Sequence, residues 1–319
     1  LTMAREKAEA DVFFKIGEGN TRANLGFRRN TAGLPQSLEK VVYDGDTINV
    51  GLTGSGALRF LGVDTAELKI AGSPLDSEKW VARLADPSLL DAIALQPGLK
   101  YHLAAKFGPD TAANHRRHAE QAQAHLQALV EGDMAEQGLD ATGFRLFAEF
   151  SYEVFDSHAR FLVFANRAQA TAPRPLSYNE RMLRDGFSQP FFIWPNIAPF
   201  RDFKTVADAI PLPGTMHSLA GKGKLGLARR LVAEARQTAQ TVKTGVFNPD
   251  DPLVLAAFEL RFIDRKEPPT RAVIDLGRKS DTLLHPQSYW TVANPEDRLF
   301  VPPEFVPAFV SRGWKLEGW

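Results

Sequence analysis

Hydrophobic and polar positions first form a clear strand pattern from Glu39 to Val50. The dipeptide Asp44-Gly45 interrupts this run, and such a dipeptide favours a tight turn between two strands. A second apolar run, Ala57 to Val63, follows after a glycine-rich stretch. The pattern predicts a meander of short strands in this part of the chain.

The pattern changes between residues 68 and 143. Trp80 to Leu95 is rich in alanine and leucine, and Thr111 to Glu131 has apolar residues at helical spacing. Gly132 is placed where it would end such a helix. We therefore predict a helical insertion between two groups of strands.

Strand signals return at Phe144 to Val154, where apolar and polar residues alternate at both ends. The turn residues Asp156 to Ala159 separate this run from the apolar run Phe161 to Ala165. This arrangement predicts a β-hairpin.

Two helices are predicted next. Ser177 and Glu180 form a capping-box pattern that opens one helix, and Gly186 is placed to end it. A basic helix from about Leu225 to Lys243 follows and stops at Gly245.

The chain beyond Phe247 is rich in proline and less regular. We predict strands at Leu255 to Ile263, Arg271 to Leu276 and Tyr289 to Val292, and a short helix at Pro303 to Arg312. Short strands and one hairpin followed by helices favour an α+β fold with a small barrel over alternating βαβ units.

Composition sets few limits on function. The 38 basic and 38 acidic residues give no net charge, which argues mildly against a protein that holds phosphates by bulk charge. The absence of cysteine excludes disulfides, thiolate metal sites and cysteine nucleophiles. No apolar run approaches the roughly 18 residues needed to span a bilayer, so we expect no membrane partner.

Candidate chemistry is concentrated where the first strands end. Asp46, Asp64 and Glu67 sit at strand ends, and carboxylate oxygens suit a hard cation such as calcium. Arg59 lies in a strand that is apolar on both faces, where a guanidinium group is costly unless an anion meets it. The alternative is structural, because such turns are commonplace and a lone strand arginine is usually paired or reaches solvent.

The ordered motifs around these residues resemble the staphylococcal nuclease (thermonuclease) family. That family has Asp-Gly-Asp-Thr, an arginine five residues before Asp-Thr-Pro-Glu, an Asp-x-x-Gly-Arg turn, an Asn-Glu helix and a closing helix. The matching segments here are Asp44 to Thr47, Arg59 with Asp64 to Glu67, Asp156 to Arg160, Asn179 to Gly186, and Ala235 to Phe247.

The resemblance implies an OB-like five-stranded β-barrel flanked by helices, in an α+β fold with a helical insertion and a C-terminal extension. We accordingly divide the chain at four boundaries. Residues 1–36 are an N-terminal extension, 37–247 the nuclease-like domain with its insertion 68–143, and 248–319 a C-terminal extension that packs on the core.

The resemblance also implies one calcium ion. Asp46 and Asp64 would bind it through their carboxylates and Thr65 through its backbone carbonyl, with Asp44 just behind these ligands. Calcium takes oxygen ligands of this kind.

Catalysis would then fall to three side chains. Glu67 would orient or deprotonate the attacking water, and Arg59 and Arg160 would hold the phosphate and the charge that builds on it. A planar guanidinium matches two phosphate oxygens in a way that a lysine does not. The implied reaction is endonucleolytic hydrolysis of DNA and/or RNA phosphodiesters with 3′-phosphate products.

The sequence departs from the family at several positions. Ala66 replaces the usual proline, and His158 stands where a tyrosine is common. Phe192 and Trp194 fall where tyrosines line the substrate pocket, so we expect these two residues and His158 to bind substrate through aromatic faces.

Two other functions stay open. The first is a nonenzymatic nucleic-acid- or protein-binding module of the same fold, and the second is a structural protein held together by calcium. Degenerate copies of the family lose an arginine, the glutamate or an aspartate. All five of these residues are present here, which favours the enzyme; they are Asp46, Arg59, Asp64, Glu67 and Arg160. We expect no obligate protein partner. Localisation stays open, since the first residues lack the apolar core of a secretory signal while the resemblance suggests secretion or the periplasm.

Four histidines lie in the insertion, at positions 102, 115, 118 and 125. His115 and His118 share one helix face, which raises the possibility of zinc. Without an obvious carboxylate partner, we favour a solvated face or a phosphate-contacting helix. The insertion as a whole would serve as a lid or a specificity arm rather than supply catalysis.

Overall fold

A closed five-stranded β-barrel forms the centre of the fold in the computed structural model, which describes residues 13–15, 21–28, 30, 34, 36–52, 54–156 and 158–319. Its strands are β2 (Thr21–Phe27), β4 (Thr47–Leu52), β5 (Gly54–Phe60), β9 (Leu146–Phe155) and β10 (Phe161–Arg167). Their order is β2-β9-β10-β5-β4, and β4 pairs back with β2 to close the barrel. Two short strands extend this sheet, β1 (Phe13–Lys15) beside β2 and β3 (Val42–Asp44) beside β4.

Alternation along the barrel strands sends one face into a shared core. Ile48, Leu58 and Val163 are each fully buried there. In the antiparallel pairing of β4 with β5, Thr47 lies opposite Arg59. This register places the turn between β3 and β4 next to Arg59 of β5.

A second, six-stranded sheet joins the barrel to the C-terminal part of the chain. Its order is β15-β13-β12-β14-β11-β6. The strands are β6 (Gly62–Asp64), β11 (Gln189–Ile193), β12 (Ala272–Asp275), β13 (Thr282–Leu284), β14 (Arg298–Val301) and β15 (Lys315–Glu317). Four of its strands come from residues beyond 247, so the C-terminal lobe continues a sheet that the core begins. A two-stranded ribbon, β7 (Lys69–Ile70) with β8 (Ser73–Pro74), leads into the insertion.

Helices surround both sheets. They are α1 (Leu38–Val41), α2 (Glu78–Ala85), α3 (Pro97–Ala104), α4 (Thr111–Glu136), α5 (Tyr178–Arg184), α6 (Val206–Ala209), α7 (Met216–Leu219), α8 (Gly223–Val242), α9 (Ala257–Arg265) and α10 (Val306–Ser311). Short 3-10 segments lie at 87–92, 200–202, 286–291, 295–297 and 303–305. Among the helices described, none is long and apolar enough to cross a membrane.

The predicted fold class is confirmed at the level of a mixed α+β fold with a closed five-stranded barrel and helices. The β9–β10 hairpin is also confirmed, and α5 begins with the predicted capping box at Ser177. The chain turns at Gly186 with a positive φ of 74°, which suits glycine at a helix end.

Several local predictions were wrong. Residues 21–27, assigned to an N-terminal extension, supply barrel strand β2, so the boundary at residue 37 excludes part of the barrel. Residues 1–12 and 16–20 of that extension lie outside the described residues. Helix α4 continues through Gly132 to Glu136, since packing outweighs the cost of one helical glycine.

Two predicted strands in the C-terminal lobe are helical. Residues 255–263 fall mostly in helix α9, and Tyr289 to Val292 overlaps a 3-10 segment. In the first case Glu259 accepts a hydrogen bond from the Ala256 N–H (2.8 Å), a capping contact that starts a helix.

Asn179, at the start of α5, fixes the point where the chain leaves the barrel for the second sheet. Its buried amide donates to the carbonyls of Leu61 (2.8 Å) and Val163 (3.0 Å) and accepts from the Ala165 N–H (2.9 Å). These bonds tie β10 to the residue between β5 and β6, and so help to set where Asp64 lies.

Replacing Asn179 with alanine should lower the free energy of unfolding by about 3 kcal/mol or more, because three buried backbone groups lose a partner. Denaturant unfolding measures the change. The matched control is Asn49→Ala, which removes a single 3.4 Å bond to the Lys40 carbonyl and should cost less than about 1 kcal/mol. Equal losses in the two variants would contradict this role for Asn179.

Candidate active site

The turn between β3 and β4 presents the first acidic residues of the site. Asp46 is buried, and its N–H donates to the Asp44 carboxylate (3.3 Å). The Asp46 carboxylate accepts from the Thr47 hydroxyl (3.1 Å) and from the Thr65 N–H (3.2 Å). Burial raises the pKa of Asp44, and Arg59 and the Thr47 hydroxyl oppose that shift.

Gly45 lets this turn pack closely against the insertion. A Cβ at this position would lie 2.6 Å from the Cβ of Ala122 on α4 and 2.8 Å from the Thr65 Cγ2. Gln123, the next residue of α4, donates to the carbonyls of Val42 (2.9 Å) and Tyr43 (3.1 Å). Helix α4 therefore supports the acidic turn directly.

Arg59 joins two acidic strand ends. Its guanidinium forms a close ion pair with Asp46 and donates through Nη2 to Asp64 Oδ1 (2.8 Å). Burial lowers the pKa of Arg59, and the Asp64 carboxylate opposes that shift. The structure thus brings Asp46 and Asp64 together around one positive group, as expected for neighbouring strand ends.

A third arginine, absent from the predicted site, enters from the C-terminal lobe. Arg261 on α9 donates through Nη1 to Glu67 Oε1 (2.6 Å) and through Nη2 to both oxygens of Asp64 (2.9 Å each). Burial lowers the pKa of Arg261, but the two carboxylates outweigh burial and raise it overall. Arg261 was missed because its partners precede it by 194 and 197 residues, and no motif links them.

Glu67 is held by the insertion as well as by the C-terminal lobe. Its backbone N–H donates to Nε2 of His115 (2.8 Å), and Nδ1 of His115 lies 3.1 Å from the Leu255 carbonyl. Because Nε2 accepts, the proton of the neutral ring belongs on Nδ1, from which it bonds to Leu255. Burial raises the pKa of the Glu67 carboxyl, and Arg261 opposes that shift.

Arg160 lies on a groove that Arg59 and Glu67 also line, and it forms a separate ion pair. Its guanidinium donates to Asp156 Oδ2 (2.7 Å), across the turn that joins β9 to β10. Its charge still lowers the pKa of Asp44, though less than burial raises it. His158, in the same turn, is exposed and also lines the groove.

The site opens into a groove of about 1040 Å³ between the barrel and the C-terminal lobe. Arg59, Glu67, Arg160 and Arg261 all line it. Aromatic side chains of its wall include Phe155, Phe191, Phe258 and Phe300.

The burial of Phe192 and Trp194 does not agree with their predicted role in substrate binding. Both are fully buried, and the Trp194 indole donates to the Ala209 carbonyl (3.1 Å). Successive side chains of a strand point to opposite faces, so their neighbours Phe191 and Ile193 line the groove instead.

The prediction of a solvated helix face at His115 and His118 was wrong, because both side chains are buried. His118 Nε2 lies 3.0 Å from the Asp251 carbonyl, and Asn114 donates to the Pro252 carbonyl (2.9 Å). This face of α4 therefore binds the C-terminal lobe. The signal that the sequence offered was the helical spacing of Asn114, His115 and His118, three polar residues on one helix face.

The acidic residues suit calcium in chemistry. Asp46 and Asp64 offer hard oxygen ligands and converge on one positive charge, that of Arg59. A calcium ion bound by these two carboxylates would need further oxygen ligands, such as the Thr65 carbonyl, waters or a phosphate. In the part of the chain that is described, no three His, Cys, Asp or Glu side chains are grouped to hold a metal. Every carboxylate oxygen of Asp46 and Asp64 already accepts a hydrogen bond or ion pair from the protein.

No protein-family model matches this chain, and no curated protein matches it.

Protonation of His115 should couple stability to pH. Burial lowers its pKa to about 4, against 6.5 in an unfolded chain, so between these values the unfolded chain binds a proton that the folded chain does not. The contribution is complete above pH 6.5 and is lost as the pH falls towards 4. At pH 5 the loss should be about 2 kcal/mol relative to pH 7.

The measurement is denaturant unfolding at pH 7 and pH 5 for the natural protein and for His115→Gln, whose amide does not titrate. The natural protein should lose about 2 kcal/mol more than the variant over this interval. Equal losses would show that His115 does not carry this part of the pH dependence.

Proposed function

We propose that this chain is a calcium-dependent phosphodiesterase that hydrolyses DNA or RNA in the groove between the barrel and the C-terminal lobe. The observation that carries the proposal is the cluster of Asp46, Asp64, Glu67 and Arg59, from which Arg59 and Glu67 line a groove that Arg160 also lines. Residues from separate parts of the chain that converge on a groove are the usual signature of an active site.

Each of these side chains has a chemical task in the proposed reaction. A calcium ion held by Asp46, Asp64 and the Thr65 carbonyl would stabilise negative charge on the phosphate and help to generate the nucleophile. Glu67 accepts the proton of the attacking water, and its raised pKa makes its carboxylate a stronger base. Arg59 and Arg160 place guanidinium groups on the groove wall, where they stabilise the negative charge that builds on the phosphate oxygens in the transition state. The family resemblance adds 3′-phosphate ends as the expected products.

The second candidate is a nonenzymatic binding module. It is favoured by the ion pairs that already engage Asp46, Asp64 and Glu67, since a network of this kind also holds two lobes together without any reaction. The groove would then bind a polyanion without cutting it.

Purified protein should degrade denatured DNA or RNA when calcium is added and stop when calcium is chelated. The oxygen ligands of Asp46, Asp64 and Thr65 are the reason to expect calcium dependence. Release of acid-soluble nucleotides measures the rate on each substrate. Full activity in excess chelator would remove calcium from the proposal, and binding of both nucleic acids without cleavage would favour the binding module.

Glu67→Gln and Arg160→Lys should each lower kcat by about a hundredfold or more, with little change in KM. Each residue is assigned to the transition state, where a neutral amide cannot accept a proton and a lysine cannot span two oxygens.

The controls change the same residue types elsewhere on the groove wall. Glu153→Gln alters a glutamate that bonds to Asn196, and Arg265→Lys alters an arginine that pairs with Glu267. Both should keep near-natural turnover. Near-natural turnover in a folded Glu67 or Arg160 variant would instead contradict the assigned roles.

A further inference from the structure

Arg261 bonds to the two carboxylates that the proposed function needs free for other partners. Its Nη2 lies 2.9 Å from Oδ1 and 2.9 Å from Oδ2 of Asp64. An atom equally distant from both oxygens blocks the place where a bidentate cation would bind. A calcium ion there would lie about 2.3–2.6 Å from each carboxylate oxygen. Arg59 adds a further bond to Oδ1.

Helix α9 holds this arginine in place. Leu260 and Phe262, on either side of it in sequence, are buried, and Glu259 bonds to Lys106 (2.6 Å) and to the Tyr289 hydroxyl (2.7 Å). The helix is therefore fixed to the C-terminal lobe and to the insertion, and the position of Arg261 depends on how that lobe is seated.

Electrostatic repulsion is a second reason why a cation and Arg261 would compete for Asp64. Arg59 and Arg261 already place two positive charges against Asp46, Asp64 and Glu67. A divalent ion on Asp64 would meet Arg261 at short range and in a buried setting, where like charges repel strongly. Binding of the ion therefore requires Arg261 to leave Asp64.

We propose that Arg261 and a divalent cation compete for Asp64, so that the C-terminal lobe sets the affinity of the site for calcium. Resting on the proposed function, this assigns the lobe a role beyond stability: Arg261 neutralises Asp64 when no cation is present and yields it when one binds. Arg261 is a positioning residue in this scheme, because it acts through Asp64 and Glu67.

The test is calorimetric titration of the full chain with calcium chloride, after removal of metal, for the natural protein and for Arg261→Gln. The variant should bind calcium at least about tenfold more tightly, because the competitor is gone. Arg261→Lys keeps the positive charge but loses the planar guanidinium that bonds to both carboxylates. Its calcium affinity should fall between those of the natural protein and Arg261→Gln.

Arg271→Gln is the matched control. Arg271 lines the same groove and, within the part of the chain that is described, forms no ion pair. The Arg271→Gln substitution therefore removes one nearby positive charge without releasing Asp64. The calcium affinity of this variant should stay within about twofold of the natural value.

Thermal unfolding supplies a second readout. Without calcium, Arg261→Gln should melt below the natural protein, since Asp64 and Glu67 lose a partner. Added calcium should then raise its Tm by more than it raises that of the natural protein. If Arg261→Gln does not fold without calcium, the titration of Arg261→Lys decides.

The outcomes separate this inference from the proposed function. If the natural protein and a folded Arg261→Gln bind calcium equally, or the variant binds it more weakly, competition is overturned while calcium-dependent cleavage stands. If neither protein binds calcium, competition is likewise overturned, and the chelator assay decides separately whether calcium belongs to the reaction. Tight binding by the variant alone supports competition and contradicts calcium dependence of the natural enzyme.

Discussion

Asp46 and Asp64 are buried carboxylates at the ends of two strands, and the guanidinium groups of Arg59 and Arg261 meet them there. Burying a carboxylate without a partner would cost several kcal/mol. The rest of the site depends on the ion pairs that offset this free-energy cost. Arg59 comes from the barrel and Arg261 from the C-terminal lobe, so the ion pairs of Arg261 with Asp64 and Glu67 also join the two halves of the molecule.

The insertion and the C-terminal lobe are therefore parts of the site rather than additions to it. Helix α4 supports the acidic turn at Gly45 and holds the Glu67 backbone through His115. The same ring bonds to Leu255 of the C-terminal lobe. The sequence predicts a lid or a specificity arm for the insertion, and these contacts also give it a structural part in placing the glutamate.

The proposed function rests on this cluster of residues and not on the barrel alone, because small barrels support many unrelated activities. A carboxylate cluster compensated by arginines serves either as a latent cation site or as a permanent connection between lobes. The two differ in whether the arginines yield to a cation, which makes the affinity of Asp64 for its competing partners the quantity that decides function.

The sequence by itself determined the local features. The tight turn at Asp44-Gly45, the β9–β10 hairpin and the capping box at Ser177 depend on residues close together in the chain, and the structure has all three. The clustering of Asp46 and Asp64 was also expected, because strand ends that meet in a sheet bring their side chains together.

Only the tertiary structure decided the rest. Leu255 to Ile263 is predicted as a strand, yet most of this segment lies in helix α9, because its tertiary environment and the cap at Glu259 outweigh the local pattern. Register decided that Phe191, rather than Phe192, faces the groove, since a shift of one residue reverses the face. Arg261 reaches its partners across almost 200 residues. No local pattern encodes a contact at that separation, because it exists only once the two sheets have joined.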